Sequence, residues 1–131
     1  MLCIGHLLML QKSIIFVNKN LTHQQECDLL ANSRITLNIH DAYQRSLGLD
    51  TNERTFKSLG LNGALVSDTV GQLNHLFPEV KTSPDSNEIV SLARELLELS
   101  EQELVDIKEK NRLNILNNHT YVNRIEALLK I

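Results

Sequence analysis

The stretch TNERTFKSLGLNGALVSD, Thr51 to Asp68, holds the residues of this chain best suited to chemistry. Asp50 or Thr51 is placed to cap a helix starting at Asn52, and the first-turn amides of such a helix have no intrahelical partner. A helix end of this kind attracts anions. Arg54 adds a guanidinium that can grip a phosphate through two parallel hydrogen bonds, and Thr55 adds a hydroxyl in the same turn. Glu53 opposes this, because its carboxylate occupies the electrostatically favoured position and can pair with Arg54 or cap the helix. The residues thus leave two readings open, a phosphate site and a self-compensated helix start, and by themselves favour the second.

The same helix is short, since Gly60 and then Asn62-Gly63 supply a break before the apolar run ALVS. Phe56 and Leu59 fall on its buried side, and Lys57 follows Glu53 by four residues, a surface pair worth about 0.3 kcal/mol. Other constellations are weaker. The five histidines show neither HxxxH nor HExxH spacing, so no metal site is expected, and no GxSxG elbow is present. Asp41 and Asp68 both follow apolar runs and could face a cleft; Asp68, just before Thr69 and Val70, reads better as a helix cap.

The elements that must position these groups read as α/β. Short apolar runs at Ser13–Val17, Ile35–Ile39 and Ala64–Ser67, with a weaker one at Val80–Thr82, alternate with helical patterns, the rhythm of βαβ units on a parallel sheet. Between the first two, Thr22 caps a helix expected to turn Cys27, Leu29 and Leu30 inward. In ITLNIH, Thr36, Asn38 and His40 alternate with Ile35, Leu37 and Ile39, so one side of that strand is polar. Thr36 is expected to bond to neighbouring loops. For Asn38 and His40, near the strand's carboxyl end, such ties and a ligand cleft are equally open readings. Asp41–Asp50 reads as a loop or irregular turn.

Beyond Pro84 the chain becomes continuously helical, so a single domain divides into a βαβ core over 13–84 and C-terminal helices over 85–131. Ser86 is expected to cap the first helix, with Ile89, Val90, Ala93, Leu96 and Leu97 recurring at helical spacing. Ser100 and Glu103 form a capping box for the second, which is expected to bury Leu104, Val105, Ile115 and Leu116. The last, from Thr120, gathers Val122, Ile125, Leu128 and Leu129 on one face, so it should dock against something.

With 131 residues, thirteen basic and sixteen acidic, the chain is one domain's length and offers no electrostatic reason to bind nucleic acid or an anionic membrane. Cys3 and Cys27 suggest neither a disulfide framework nor a zinc site, so a reduced cytoplasmic compartment is expected. The apolar opening MLCIGHLLMLQKSIIFV is interrupted by Lys12 and lacks a preceding basic stretch and a cleavage site. It reads as a buried strand or helix rather than a signal peptide or a transmembrane segment.

Taken in order, SRITLNIHDA, NERTFKSLGLNGALVSD, LNHLFPE and HTYVNRIEALL resemble the CgeB-like glycosyltransferases, retaining-type enzymes similar to the group 1 glycosyltransferases, over Leu21 to Ile131. That family carries, in the same order, an S-[RK]-I-x-L-N strand, an N-x-R-T-F-E helix start, a paired-glycine break with an apolar strand ending in Asp, and a closing H-T-Y helix. The resemblance implies a Rossmann-like parallel sheet flanked by helices, the C-terminal donor domain of a GT-B enzyme. Its ligand would be a nucleotide-sugar such as a UDP- or GDP-sugar, with no further cofactor. Asn52, Arg54 and Thr55 would face the donor diphosphate, and Asn38 and His40 would line the cleft, His40 at its mouth.

Two departures stand out. Lys57 occupies the position of a ribose-contacting glutamate and, protonated, cannot accept hydrogen bonds from ribose hydroxyls. The chain is also expected to lack the N-terminal domain and to have its glycine-rich first βα unit absent or replaced by MLCIGHLLMLQK, which would make it an N-terminally truncated or separately encoded half, inactive alone. Its catalytic residues are not identified. The other expectation is a non-enzymatic interaction module or pseudo-enzyme of the same fold, associating with a separate N-terminal domain or a second copy. An unrelated flavodoxin-like domain would need a glycine-rich phosphate loop after SIIFV, and VNKNLTH does not supply one.

Overall fold

The computed structural model describes residues 2–3, 20–48 and 50–130. The strand expected at Ser13–Val17 and most of the apolar opening lie outside the described residues. The described elements, in chain order, are β1 (Leu2–Cys3), α1 (His23–Asn32), β2 (Thr36–Asn38), α2 (Ala42–Leu47), α3 (Glu53–Gly60), β3 (Leu65–Asp68), α4 (Gly71–Leu76), β4 (Lys81–Ser83), α5 (Ser86–Glu98), α6 (Glu101–Asn118) and α7 (Tyr121–Leu129). Strands β2, β3 and β4 are parallel neighbours, with Thr36 opposite Leu65 and Val66 opposite Lys81. β1 adds to β2 in the antiparallel sense, pairing Leu2 with Leu37. This is the expected α/β architecture, a parallel sheet flanked by helices, with one antiparallel strand added.

Side-chain alternation along the strands divides the core between the two faces of the sheet. Ile35, Ala64 and Val66 pack with Ile89, Ala93 and Leu96 of α5 and Leu104 of α6. On the other face Leu65 joins Leu59, Val70, Leu73, Phe77, Val80 and Ile115. α6 therefore contributes to both cores, Leu104 to one and Ile115 to the other. Two further ties fix the helices. Arg34 donates to the carbonyls of Leu97 and Leu99 at the end of α5, and the Lys108 ammonium donates to the Ser33 carbonyl at 2.7 Å. Lys108 is 8% exposed, and burial pulls its pKa below 10.5.

The turn after α3 depends on close approach. Asn62 takes a left-handed φ of 67°, and a Cβ on Gly63 would stand 2.6 Å from the Ser58 carbonyl oxygen, a distance no side chain tolerates.

Several local expectations are corrected. Asp41–Asp50 is not all loop, because α2 forms there, with the Asp41 amide donating to the Gln44 side chain and Gly48 closing the helix at φ 66°. α2 buries no residue, so no apolar periodicity marks it. Asp85, not Ser86, caps α5, accepting from the Asn87 and Glu88 amides. In α1 only Leu30 is buried, while Leu29 is exposed, since the helix meets the core along a single narrow line. Val90, Val105 and Leu116 are likewise exposed, and α6 instead buries Lys108 and Asn111. The capping boxes at Thr22, Ser100 and Thr120 form as paired side-chain and backbone bonds.

Candidate functional site

A polar seam joins β2 to α3. Thr36, Asn38 and His40 recur every two residues on the strand side, while Asn52, Thr55 and Ser58 recur every three along the helix, so each set presents one face. The Thr36 and Ser58 hydroxyls lie 2.5 Å apart. Asn38 Nδ2 donates to Thr55 Oγ1 at 3.1 Å and to Asn52 Oδ1 at 2.9 Å. Thr55 Oγ1 lies 2.7 Å from Thr51 Oγ1, which lies 3.0 Å from His40 Nε2. Among the described residues no buried side-chain nitrogen or oxygen lacks a partner. Thr36 thus bonds to α3 through Ser58 and, as expected, to a neighbouring loop, through the Ala64 carbonyl just before β3.

The seam ends on Asp68, which belongs to β3 and caps no helix; the residue before α4 is Val70. One carboxylate oxygen lies 2.6 Å from His40 Nδ1, and the His40 amide donates to both oxygens. Arg45 on α2 donates to the same carboxylate at 3.4 Å and to the His40 carbonyl at 3.1 Å. Burial alone would raise the Asp68 pKa. The His40 ring, the His40 amide and Arg45 more than offset burial and hold it below 3.8.

The helix start itself differs by one residue from the expectation. Asn52, not Asp50 or Thr51, is the cap, its Oδ1 accepting from the Thr55 amide at 3.3 Å, so the helix begins at Glu53. It begins beside the carboxyl end of β2, where Asn52 meets Asn38 and Arg54 donates to the Ile39 carbonyl at 3.4 Å. The Arg54 side chain is exposed at this edge. Thr55 is fully buried with its hydroxyl inside the seam, and Asn38 and His40 are also enclosed, at 3% and 2% exposure.

Lys57 does not pair along its own helix with Glu53. Its ammonium lies 2.5 Å from Glu26 on α1, because the helix axis directs it across to the neighbouring element. On this flank a pocket of about 360 Å³ is lined by Thr51, Glu53, Phe56, Lys57, His119, Tyr121 and Arg124. Neither this pocket nor the seam was legible as such from single motifs. The Arg124 guanidinium stands 4.8 Å above the Phe56 ring, and Phe56 meets Phe77 edge-on at 5.6 Å. The His119 ring packs 5.0 Å from Phe77 and 5.9 Å from Phe56.

Burial, reinforced by the Arg124 charge, lowers the His119 pKa below 6.5. A base with a depressed folded pKa binds fewer protons folded than unfolded just below 6.5, so stability is complete above that pH and falls as pH drops through and beneath it. The urea midpoint is therefore expected to decline on acidification across about pH 5 to 7. His119→Gln should flatten that part of the profile.

Among the described residues no group of three or more His, Cys, Asp or Glu side chains could hold a metal ion. Nor is any described helix long and apolar enough to cross a membrane. Against known proteins, the family model described as glycosyl transferase-like matches residues 11–130. No curated protein and no solved structure matches the chain significantly. A sheet-and-helix core of the expected kind, covered almost end to end by that match, makes this chain a member of the glycosyl transferase-like family.

Proposed function

We propose that this glycosyltransferase-type domain binds the diphosphate of a nucleotide-sugar donor at the start of α3. The observation that carries the reading is the position of that helix start. It opens beside the carboxyl end of β2, the side on which open α/β sheets bind ligands, with the exposed Arg54 next to its first-turn amides. Arg54 contacts the diphosphate, Asn52 and Thr55 hold the turn that presents the amides, and Asn38 and His40 buttress it from β2. The adjoining pocket, within the usual range for a small-molecule site, receives the nucleoside or the sugar.

The CgeB-like resemblance and the GT-B arrangement that it implies fit this reading. At the ribose position the Lys57 ammonium cannot accept from hydroxyls, but the Glu26 carboxylate held beside it can. Isothermal titration with UDP, GDP and their sugar conjugates tests the proposal. Binding of at least one at millimolar ligand supports it, and no heat with any of them removes it.

A second reading, a non-enzymatic module that associates through α7, is favoured by one observation. Val122, Ile125, Leu128 and Leu129 are 63%, 56%, 68% and 82% exposed, so the face expected to dock has nothing described against it. A monodisperse monomer in light scattering would count against self-association.

A further inference from the structure

Resting on the donor-site reading, we propose that Asp68, His40, Thr51 and Thr55 form a proton-linked relay that sets the conformation of the first turn of α3, with His40 as its positioning residue. The four are strung in one line of contacts, 2.6, 3.0 and 2.7 Å long, from the end of β3 to the interior of α3. They couple residues far apart in sequence, and His40, Thr55 and Asp68 are enclosed, so water cannot substitute for a missing partner.

The hydrogens in this line can run in only one sense at a time. With His40 neutral, Nδ1–H donates to Asp68 and Nε2 accepts from the Thr51 hydroxyl. Thr51 in turn accepts from the Thr55 hydroxyl, and Thr55 accepts from Asn38 Nδ2, so every hydroxyl hydrogen has a place. Adding a proton to Nε2 reverses the sense. Thr51 then accepts from the ring, and the place that its own hydrogen finds inside the seam is Thr55 Oγ1, so that the Thr55 hydroxyl hydrogen loses its acceptor. Turning the Asn38 amide to present Oδ1 to Thr55 restores one. That turn breaks the Asn38 Nδ2 bond to Asn52 Oδ1, the atom that also caps the Thr55 amide. Protonation at His40 thereby reaches the cap of α3.

Among the described residues, the charged and titratable groups around His40 are Asp68 from β3 and Arg45 from α2, both bonded to it, with Arg54 from α3 on the neighbouring Ile39 carbonyl. Arg45 holds the His40 backbone in place through the His40 carbonyl.

Amide and imidazole resonances of the full chain, followed by NMR across about pH 5 to 8, test the relay. The Glu53, Arg54 and Thr55 amides are expected to move together with the His40 ring resonances. Thr51→Val, which keeps the shape but removes the hydroxyl, should abolish the linked shift, and Thr51→Ser should restore it. With UDP-glucose as probe, binding should weaken about three- to tenfold at the acid end in the wild type, the equivalent of one hydrogen bond. Amides that do not follow a His40 titration, or that follow it equally in Thr51→Val, overturn the relay whether or not UDP-glucose binds. Linked shifts without UDP-glucose binding at either pH establish the relay and contradict the donor-site reading alone.

Discussion

Replacing Asp68 with alanine is expected to cost about 3–5 kcal/mol of folding stability, measured by urea denaturation. The carboxylate receives the His40 amide, the His40 ring and Arg45, and the Ser67 hydroxyl lies 3.3 Å from it. Alanine leaves two of these donors, the His40 amide and ring, in an enclosed space with no acceptor, while the Ser67 hydroxyl keeps the Asn38 carbonyl at 2.9 Å and Arg45, about half exposed, can turn to water. Asp68→Asn should cost less, because its carbonyl oxygen can still accept from the His40 amide while its NH2 group faces the ring nitrogen. The folded-state pKa lies below 3.8, so the carboxylate's contribution is complete above that value and is lost as pH falls beneath it. The wild type is accordingly expected to show an acid-limb slope there that the alanine variant lacks.

Phe77→Ala is expected to cost a comparable amount, about 3–5 kcal/mol, for a different reason. Phe77 is 2% exposed at the end of α4, where it closes the core formed by Leu59, Leu65, Leu73 and Ile115. Its ring also carries Phe56 edge-on and the tilted His119 ring. Removing it opens a cavity and takes away the surface on which the α6–α7 junction rests. Phe77→Leu should recover a good part of the loss, since packing volume rather than ring chemistry dominates there. Hydrogen exchange should show the variant's extra opening first in α7, which buries no residue of its own.

Asp68 marks where sequence reading stopped, and the strands beside it where it succeeded. β2 and β3 were legible because Ile35, Ala64 and Val66 must be buried and their spacing fits a strand, and the caps at Thr22 and Ser100 follow from local chemistry. Asp68 was read as a cap because its sequence neighbours suggest one, whereas its true partner, His40, is twenty-eight residues away. The seam could have been found. T-x-N-x-H at 36–40 has the strand period and N-x-x-T-x-x-S at 52–58 the helical one, and two complementary polar faces bury well only against each other. α2 carried no such signal, having no buried side chain to set a period. For α7 the amphipathic pattern was plain, but a pattern specifies a face and not its partner.

The central claim, a donor diphosphate held at the start of α3, rests most directly on Arg54, whose side-chain hydrogen bonding among the described residues is one long bond of 3.4 Å to the Ile39 carbonyl. Its loss should therefore leave the fold intact. The decisive measurement is the affinity of wild type and Arg54→Ala for a nucleoside diphosphate, with their thermal melts compared. The account predicts unchanged melting and binding weakened about tenfold or more, the loss of a charged hydrogen bond to phosphate. Equal affinity in the two proteins would contradict it.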